Sequence, residues 1–221
     1  MGYFDLLHRN KQKLPDAEAA LPGRATPMSL DPNHFVLGTK MVPPFLDTLS
    51  VVYFGMGCFW GAEKVFWSLP GVHTTAVGYG SGITPNPTYE EVCSGMTGHN
   101  ELVMVVFDPD KIQFSQLVKV FWQSHNPTEG MRQGNDIGTQ YRSGIYFSKL
   151  SDSELIEQAR SSQEQYDQLL AKDKKHKTTS EILSDITFYY AEEYHQQYLA
   201  KNPQGYCPNH TCSATGLPRF V

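Results

Sequence analysis

The chain has 221 residues, 40% of them hydrophobic and 19% charged, with 12 Phe, 12 Tyr and 3 Trp. That is enough apolar material for one substantial domain with appendages, and too much for wholesale disorder. Eighteen basic against 23 acidic residues give a formal net charge of −5 without a basic stripe, which argues against nucleic acid as the main partner.

No run approaches the roughly 18 apolar residues of a membrane-spanning helix, so no membrane association is expected. The opening residues lack the apolar segment of a secretory signal. Position 6 is Leu6, which breaks the myristoylation pattern begun by Met1-Gly2. Asp5, Asp16 and Glu18 weaken a mitochondrial presequence reading. The cytoplasm is the expected compartment, with the mitochondrion left open. Residues 1–50 are rich in proline and carry no sustained periodicity. They read as an arm wrapped over a core spanning 51–200, followed by a flexible tail at 201–221.

Within the core, Val51-Val52-Tyr53-Phe54 is a short apolar run expected to form a buried strand. Cys58, Ala62, Val65, Phe66 and Leu69 recur at helical spacing, and Pro70-Gly71 ends that helix. Val72–Gly78 reads as a strand. Gly80 to Asn100 is too long for a plain connector, and loops of that length are usually functional or disordered. Leu102–Phe107 is wholly apolar and predicts a central strand. Phe114, Leu117, Val118, Phe121 and Trp122 form an amphipathic helical stripe. Gly144–Phe147 predicts another strand. Ser151-x-x-Glu154 is a capping box opening a helix that carries Leu155, Ala159, Tyr166 and Leu169. Tyr190, Tyr194 and Tyr198 are expected to share one face of a last helix. The order β-α-β, long loop, β-α-β, then helices predicts a two-layer α/β fold, the ferredoxin-like split βαβ arrangement.

The chemistry starts from absences. There is no phosphate loop of the GxxxxGK[ST] type, no HExxH and no GxSxG. Gly78-x-Gly80-x-Gly82 has the wrong spacing for a dinucleotide fingerprint. Four cysteines, Cys58, Cys93, Cys207 and Cys212, are too few for a disulfide scaffold and favour thiol chemistry or metal binding. In Gly57-Cys58-Phe59-Trp60-Gly61 a cysteine stands at the first turn of a helix, where backbone N–H groups and the helix dipole lower a thiol pKa. The bland alternative is a buried structural cysteine. Two large rings beside it favour an apolar pocket. Cys207 and Cys212 lie in a polar tail, where they can relay a disulfide. Cys207-x-x-His210-x-Cys212 also offers three zinc ligand types, one short of a structural site. Cys93 reads as a bystander.

GCFWG at 57–61 resembles the signature of the type A peptide methionine sulfoxide reductases, the class that acts on the S epimer. TPNPTYEEVCSG at 84–95, the GHxE pattern at Gly98–Glu101, GMRQGNDxGTQYRS at 130–143 and YYAEEYHQQYLxKNPxGYC at 189–207 resemble the same family in the same order, and LPGRATPM at 21–28 resembles its N-terminal arm. The resemblance implies roles. Cys58 attacks the sulfoxide sulfur and Glu101 supplies the proton. Tyr89 and Tyr141 bind the oxygen, with Asp136 acting nearby through water. Phe59 and Trp60 receive the methyl group. Cys207 resolves the sulfenic acid as a disulfide and Cys212 carries it onward. Thioredoxin, or dithiothreitol in vitro, regenerates the enzyme, with no bound cofactor or metal and a monomeric state implied. The substrate is methionine S-sulfoxide, free or in oxidised proteins. This chain has Asn100, Ile137 and Ser81 where many members have Ala, His and Gly, and only four residues separate its tail cysteines. Two other readings remain: a cysteine hydrolase or acyltransferase using His73, His99 or His125 as base, and a small zinc or redox-sensing module.

Overall fold

The computed structural model describes residues 11–148, 153–206 and 215–220. Its centre is a six-stranded sheet. The strands are β1 (Ser50–Met56), β2 (Val72–Gly80), β3 (Asn100–Phe107), β6 (Ser143–Tyr146), β7 (Glu181–Leu183) and β8 (Phe188–Tyr190), in the spatial order β7-β6-β1-β3-β2-β8. All neighbours are antiparallel except β6 and β7. The inner order β6-β1-β3-β2 is the split βαβ arrangement read from the sequence. Two-residue strands β4 (Arg132–Gln133) and β5 (Asp136–Ile137) form a separate hairpin.

β3 is buried along its whole length, as its unbroken apolar run requires. Helices α1 (Phe59–Trp67), α3 (Phe114–Ser124) and α4 (Ser153–Lys172) cover one sheet face. Each follows its apolar spacing: Phe59, Ala62 and Phe66 on α1, Phe114, Leu117, Val118, Phe121 and Trp122 on α3, Ile156, Ala159, Tyr166 and Leu170 on α4. The arm covers the other face. Met41, Leu30, Phe45 and Leu49 pack on Tyr53, Ala76, Leu102, Met104 and Val106. The Ser151 end of the expected capping box lies outside the described residues.

Two expectations fail. The last helix is not continuous. Tyr190 pairs with Gly78 as an edge strand and donates its hydroxyl to the Met41 carbonyl at 2.8 Å. Tyr194 lies in a 3₁₀ turn (Glu193–His195), and only Tyr198 begins a short helix, α5 (Tyr198–Lys201). A left-handed Gln197, φ 48°, separates the last two pieces. Periodicity reported spacing here, but strand pairing and buried hydrogen bonds set the backbone. The far end of the tail is also not loose: Phe220 is buried, its ring 5.9 Å from that of Tyr166, which bonds the Pro218 carbonyl at 3.0 Å. The long Gly80–Asn100 loop contains a further helix, α2 (Tyr89–Cys93), opened by a capping box between Thr88 and Glu91.

Candidate active site

β1 ends at Met56 and delivers Cys58 to the N-cap of α1. Gly57 makes the turn with φ +84°, and a side chain there would meet that of Gln133 at 2.6 Å. This close approach brings the β4–β5 hairpin, and with it Asp136, over Cys58. Gln133 is locked by both ends of its amide to the backbone of Asn126 at 3.0 and 2.8 Å. Tyr141 ends the next 3₁₀ turn (Thr139–Tyr141). Its neighbour Arg142 donates to the carbonyls of Thr139, Ser81 and Gly98 and pairs with Glu181 at 3.0 Å, so one buried guanidinium fixes three loops around the site.

Cys58, Phe59, Trp60, Tyr89, Glu101, Asp136 and Tyr141 all line one cavity of about 110 Å³. The eighth lining residue is Tyr206, whose hydroxyl donates to Asp136 Oδ1 at 3.3 Å. The expected site residues within the described chain therefore converge. Cys207 and Cys212, and with them His210 of the zinc reading, lie outside the described residues. Tyr206, the last described residue before them, is the sequence neighbour of Cys207.

Glu101 is buried at the cavity floor, and its Oε2 accepts the Phe59 N–H at 3.1 Å. Burial raises its pKa to about 8, with the nearby Asp136 adding to the rise and the Phe59 N–H opposing it. It is thus mostly a carboxylic acid near neutrality. Cys58 corrects the expectation of a lowered thiol pKa. Burial and the carboxyls of Glu101 and Asp136 push it well up, and only the N–H groups of Trp60 and Gly61 pull down. A helix terminus is worth up to about 2 kcal/mol, less than burying a charge can cost. Burial wins, and the resting group is a thiol. The hydroxyls of Tyr89 and Tyr141 are likewise pushed up by burial and by Glu101, so both are donors.

The wall holds residues that sequence reasoning missed. The Trp60 indole donates to His195 Nδ1 at 3.0 Å and stacks on Tyr198 with centroids 3.9 Å apart. The His195 ring also lies 5.1 Å from Phe59 and 4.6 Å from Tyr89. Glu192 holds the Tyr89 N–H at 2.8 Å and the Tyr79 hydroxyl at 2.8 Å. Both belong to the 189–207 motif, whose residues could have been searched for partners of Trp60. Cys93 is less remote than expected. It sits one turn after Tyr89 on α2 and shares a side-chain hydrogen bond with it.

The histidines of the hydrolase reading sit elsewhere. His99 Nε2 bonds the Thr84 carbonyl at 2.7 Å, and His125 is held between the Phe121 carbonyl and Ser143 Oγ, each at 2.7 Å. His73 stands near the start of β2, six residues before Tyr79, which pairs with Glu101. No histidine lines the Cys58 cavity among the described residues. That set also contains no group of three or more His, Cys, Asp or Glu side chains placed to hold a metal, and no helix long and apolar enough to cross a membrane.

A cysteine facing a protonated carboxyl in a small aromatic cavity, on a split βαβ sheet, defines a thiol site with a built-in proton donor. Comparison with known proteins gives the family. A family model described as "Peptide methionine sulfoxide reductase" matches residues 50–216. The chain is 58% identical over 197 residues to peptide methionine sulfoxide reductase MsrA 2 of Nostoc sp., covering 89% of this chain and 87% of that protein. It is 52% identical over 207 residues to MsrA of Brucella ovis, covering 94% and 93%. Methionine sulfoxide reductase A of Corynebacterium diphtheriae matches the fold with a TM-score of 0.83 at 45% identity, over 93% of this chain and 99% of that one. Mxr1 from Saccharomyces cerevisiae in reduced form matches with a TM-score of 0.68 at 33% identity, over 79% and 97%. The chain belongs to the peptide methionine sulfoxide reductase family, and the two relatives named above carry the MsrA name.

Proposed function

We propose that this protein reduces the S epimer of methionine sulfoxide, free or in oxidised proteins, with Cys58 as nucleophile and Glu101 as general acid. The observation that carries the reading is the juxtaposition of the Cys58 thiol with a carboxyl whose pKa stands at about 8, in one cavity. Sulfoxide sulfur becomes electrophilic when its oxygen is protonated. Glu101 gives that proton, Tyr89 and Tyr141 donate to the oxygen, and Asp136 acts through water beside them. The sulfoxide oxygen ends on sulfur: Cys58 becomes a sulfenic acid and methionine leaves. The Cys207 thiol then displaces water from the sulfenic acid to give a Cys58–Cys207 disulfide, and Cys212 passes it on. A dithiol protein of the thioredoxin class takes the disulfide and leaves both cysteines reduced. The steps need no bound cofactor or metal, and the cytoplasm, with its reducing thiol pool, is the compartment that suits them.

The three substituents of the sulfoxide sulfur make the reading testable. With the oxygen held by Glu101, Tyr89 and Tyr141 and the methyl between Phe59 and Trp60, only one epimer turns its sulfur to Cys58. The other would set its oxygen among rings, at about 1–3 kcal/mol for an unsatisfied polar group. Separate assays of S and R sulfoxide with dithiothreitol should show strong preference for S, and Trp60→Ala should weaken S turnover. Comparable reduction of both epimers by the unaltered protein refutes the site.

A further inference from the structure

Glu63 lies on α1 one turn beyond Phe59 and Trp60, fully buried on the helix's apolar face. No step of the reaction uses it. Its hydrogen bonds have fixed directions. Backbone N–H groups of Val36 and Leu37 donate to His34 Nδ1 at 3.1 and 3.0 Å, which leaves the His34 proton on Nε2. That proton goes to Thr75 Oγ1 at 2.9 Å, and the Thr75 hydroxyl donates to Glu63 Oε1 at 2.9 Å. Gln197 donates twice, through Nε2 to Oε1 at 2.8 Å and through its backbone N–H to Oε2 at 2.9 Å. Its Oε1 in turn accepts the Phe35 N–H at 3.1 Å. Three donors therefore converge on one carboxylate.

We infer that Glu63 is a positioning residue for the sulfoxide pocket, pinning Gln197 and thereby the Tyr198 ring behind Trp60, and tying the N-terminal arm to the same point. This rests on the reading of Trp60 as the methyl wall. Gln197 holds a left-handed backbone that a side-chain-bearing residue adopts at a cost, and its two bonds to Glu63 sustain it. Tyr198 follows immediately, stacked on Trp60, and His195 stands two residues before. A shift at Gln197 therefore reaches the face and the indole N–H of Trp60 together.

The cluster also has a defined proton sensitivity. Burial raises Glu63 to about 7, against the pull of its Gln197 and Thr75 bonds and of Lys201. The other ionisable groups facing the cluster are His34 on the arm, lowered to about 4 and therefore neutral, and Lys201 on α5, paired with Glu193 at 2.8 Å. Between pH 6 and 8 the group that changes here is Glu63. Protonation leaves acceptor capacity but removes the charge that strengthens these three bonds and sets a new O–H among donors, so the clamp loosens on acidification.

The experiment compares kcat/KM for the S-sulfoxides of methionine and of ethionine, one methylene larger, from pH 5.5 to 8.5. Taking the ratio within one enzyme cancels the titration of Glu101. The unaltered protein should prefer methyl by about tenfold or more at pH 8, and the preference should fall severalfold below pH 6.5. Glu63→Gln, whose amide puts a donor against donors, should give a low preference flat with pH. Thr75→Ser should keep the preference and Thr75→Val lower it. A pH-independent preference in the unaltered protein, or full preference in Glu63→Gln, overturns the proposal. If Glu63→Gln does not fold, the pH series and the Thr75 pair decide. Absence of any S-sulfoxide turnover by the unaltered protein is a separate result, which removes the reductase reading and this proposal with it.

Discussion

Replacing Glu101 by Gln removes the proton and keeps the shape. The amide oxygen can still accept the Phe59 N–H, which now meets Oε2 at 3.1 Å. The magnitude follows from the environment. A carboxyl raised from 4.5 to about 8 is protonated in about nine molecules of ten at pH 7. The acid is thus already loaded when substrate arrives. General acid assistance of this kind is worth about 10²–10⁴-fold, and the Gln variant should lose that much kcat/KM for S-sulfoxide at pH 7. The loss should shrink at low pH, where solvent can protonate the sulfoxide. In the unaltered enzyme activity should decline as pH rises through about 8, and the variant should lack that limb. Stability gives an independent reading. A carboxyl with a raised folded pKa contributes stability fully present below 4.5, lost as pH rises through about 8. The shift corresponds to roughly 5 kcal/mol of penalty on the buried charge. Thermal unfolding across pH 4 to 9 should show this decline in the unaltered protein and a shallower one in the variant. Full activity in Glu101→Gln, or an undiminished limb near pH 8, refutes the acid assignment.

Cys58→Ser should be folded and inactive, since an alcohol cannot become a sulfenic acid; residual cycling with a dithiol would remove Cys58 from the reaction. Cys93 separates contact from chemistry: Cys93→Ser, which preserves a hydrogen bond to Tyr89, should be nearly silent, whereas Cys93→Ala should lose a few-fold in kcat/KM. A large loss in the Ser variant would make the Cys93 thiol a participant. Cys207→Ser should complete one turnover and then stall with thioredoxin, and Cys212→Ser should lose cycling only in part. Mass spectrometry of Cys212→Ser after one equivalent of substrate should find a Cys58–Cys207 disulfide, and a Cys93–Cys207 link would reverse the relay order.

The parts legible in the sequence were those where one local pattern and the tertiary structure agree. Leu102–Phe107 reads as a central strand because both its faces are buried, and Phe114–Trp122 as a helix because one stripe meets the sheet. The residues brought together at Cys58 were legible only through motif resemblance. Tyr89, Glu101, Asp136 and Tyr141 come from four separate elements, and no spacing relates them. Glu63 shows a signal that was present and unread. It is a carboxylate between Phe59, Ala62 and Phe66 on a helix's apolar face, and such a charge must find donors. Those donors stand on Thr75 and Gln197, twelve and 134 residues away.

Tyr190, Tyr194 and Tyr198 show the converse. Their four-residue spacing is real, but each answers to a different partner: Gly78 across the sheet edge, the His195 ring, and the Trp60 indole. Three separate demands broke one helix into a strand, a 3₁₀ turn and a short helix. The break is what lets His195 and Tyr198 approach Trp60 from different directions, its indole N–H and its ring face. A single straight helix would present residues three apart on one side and could not enclose an indole in this way. The irregular backbone that defeated periodicity is therefore the part that shapes the pocket wall.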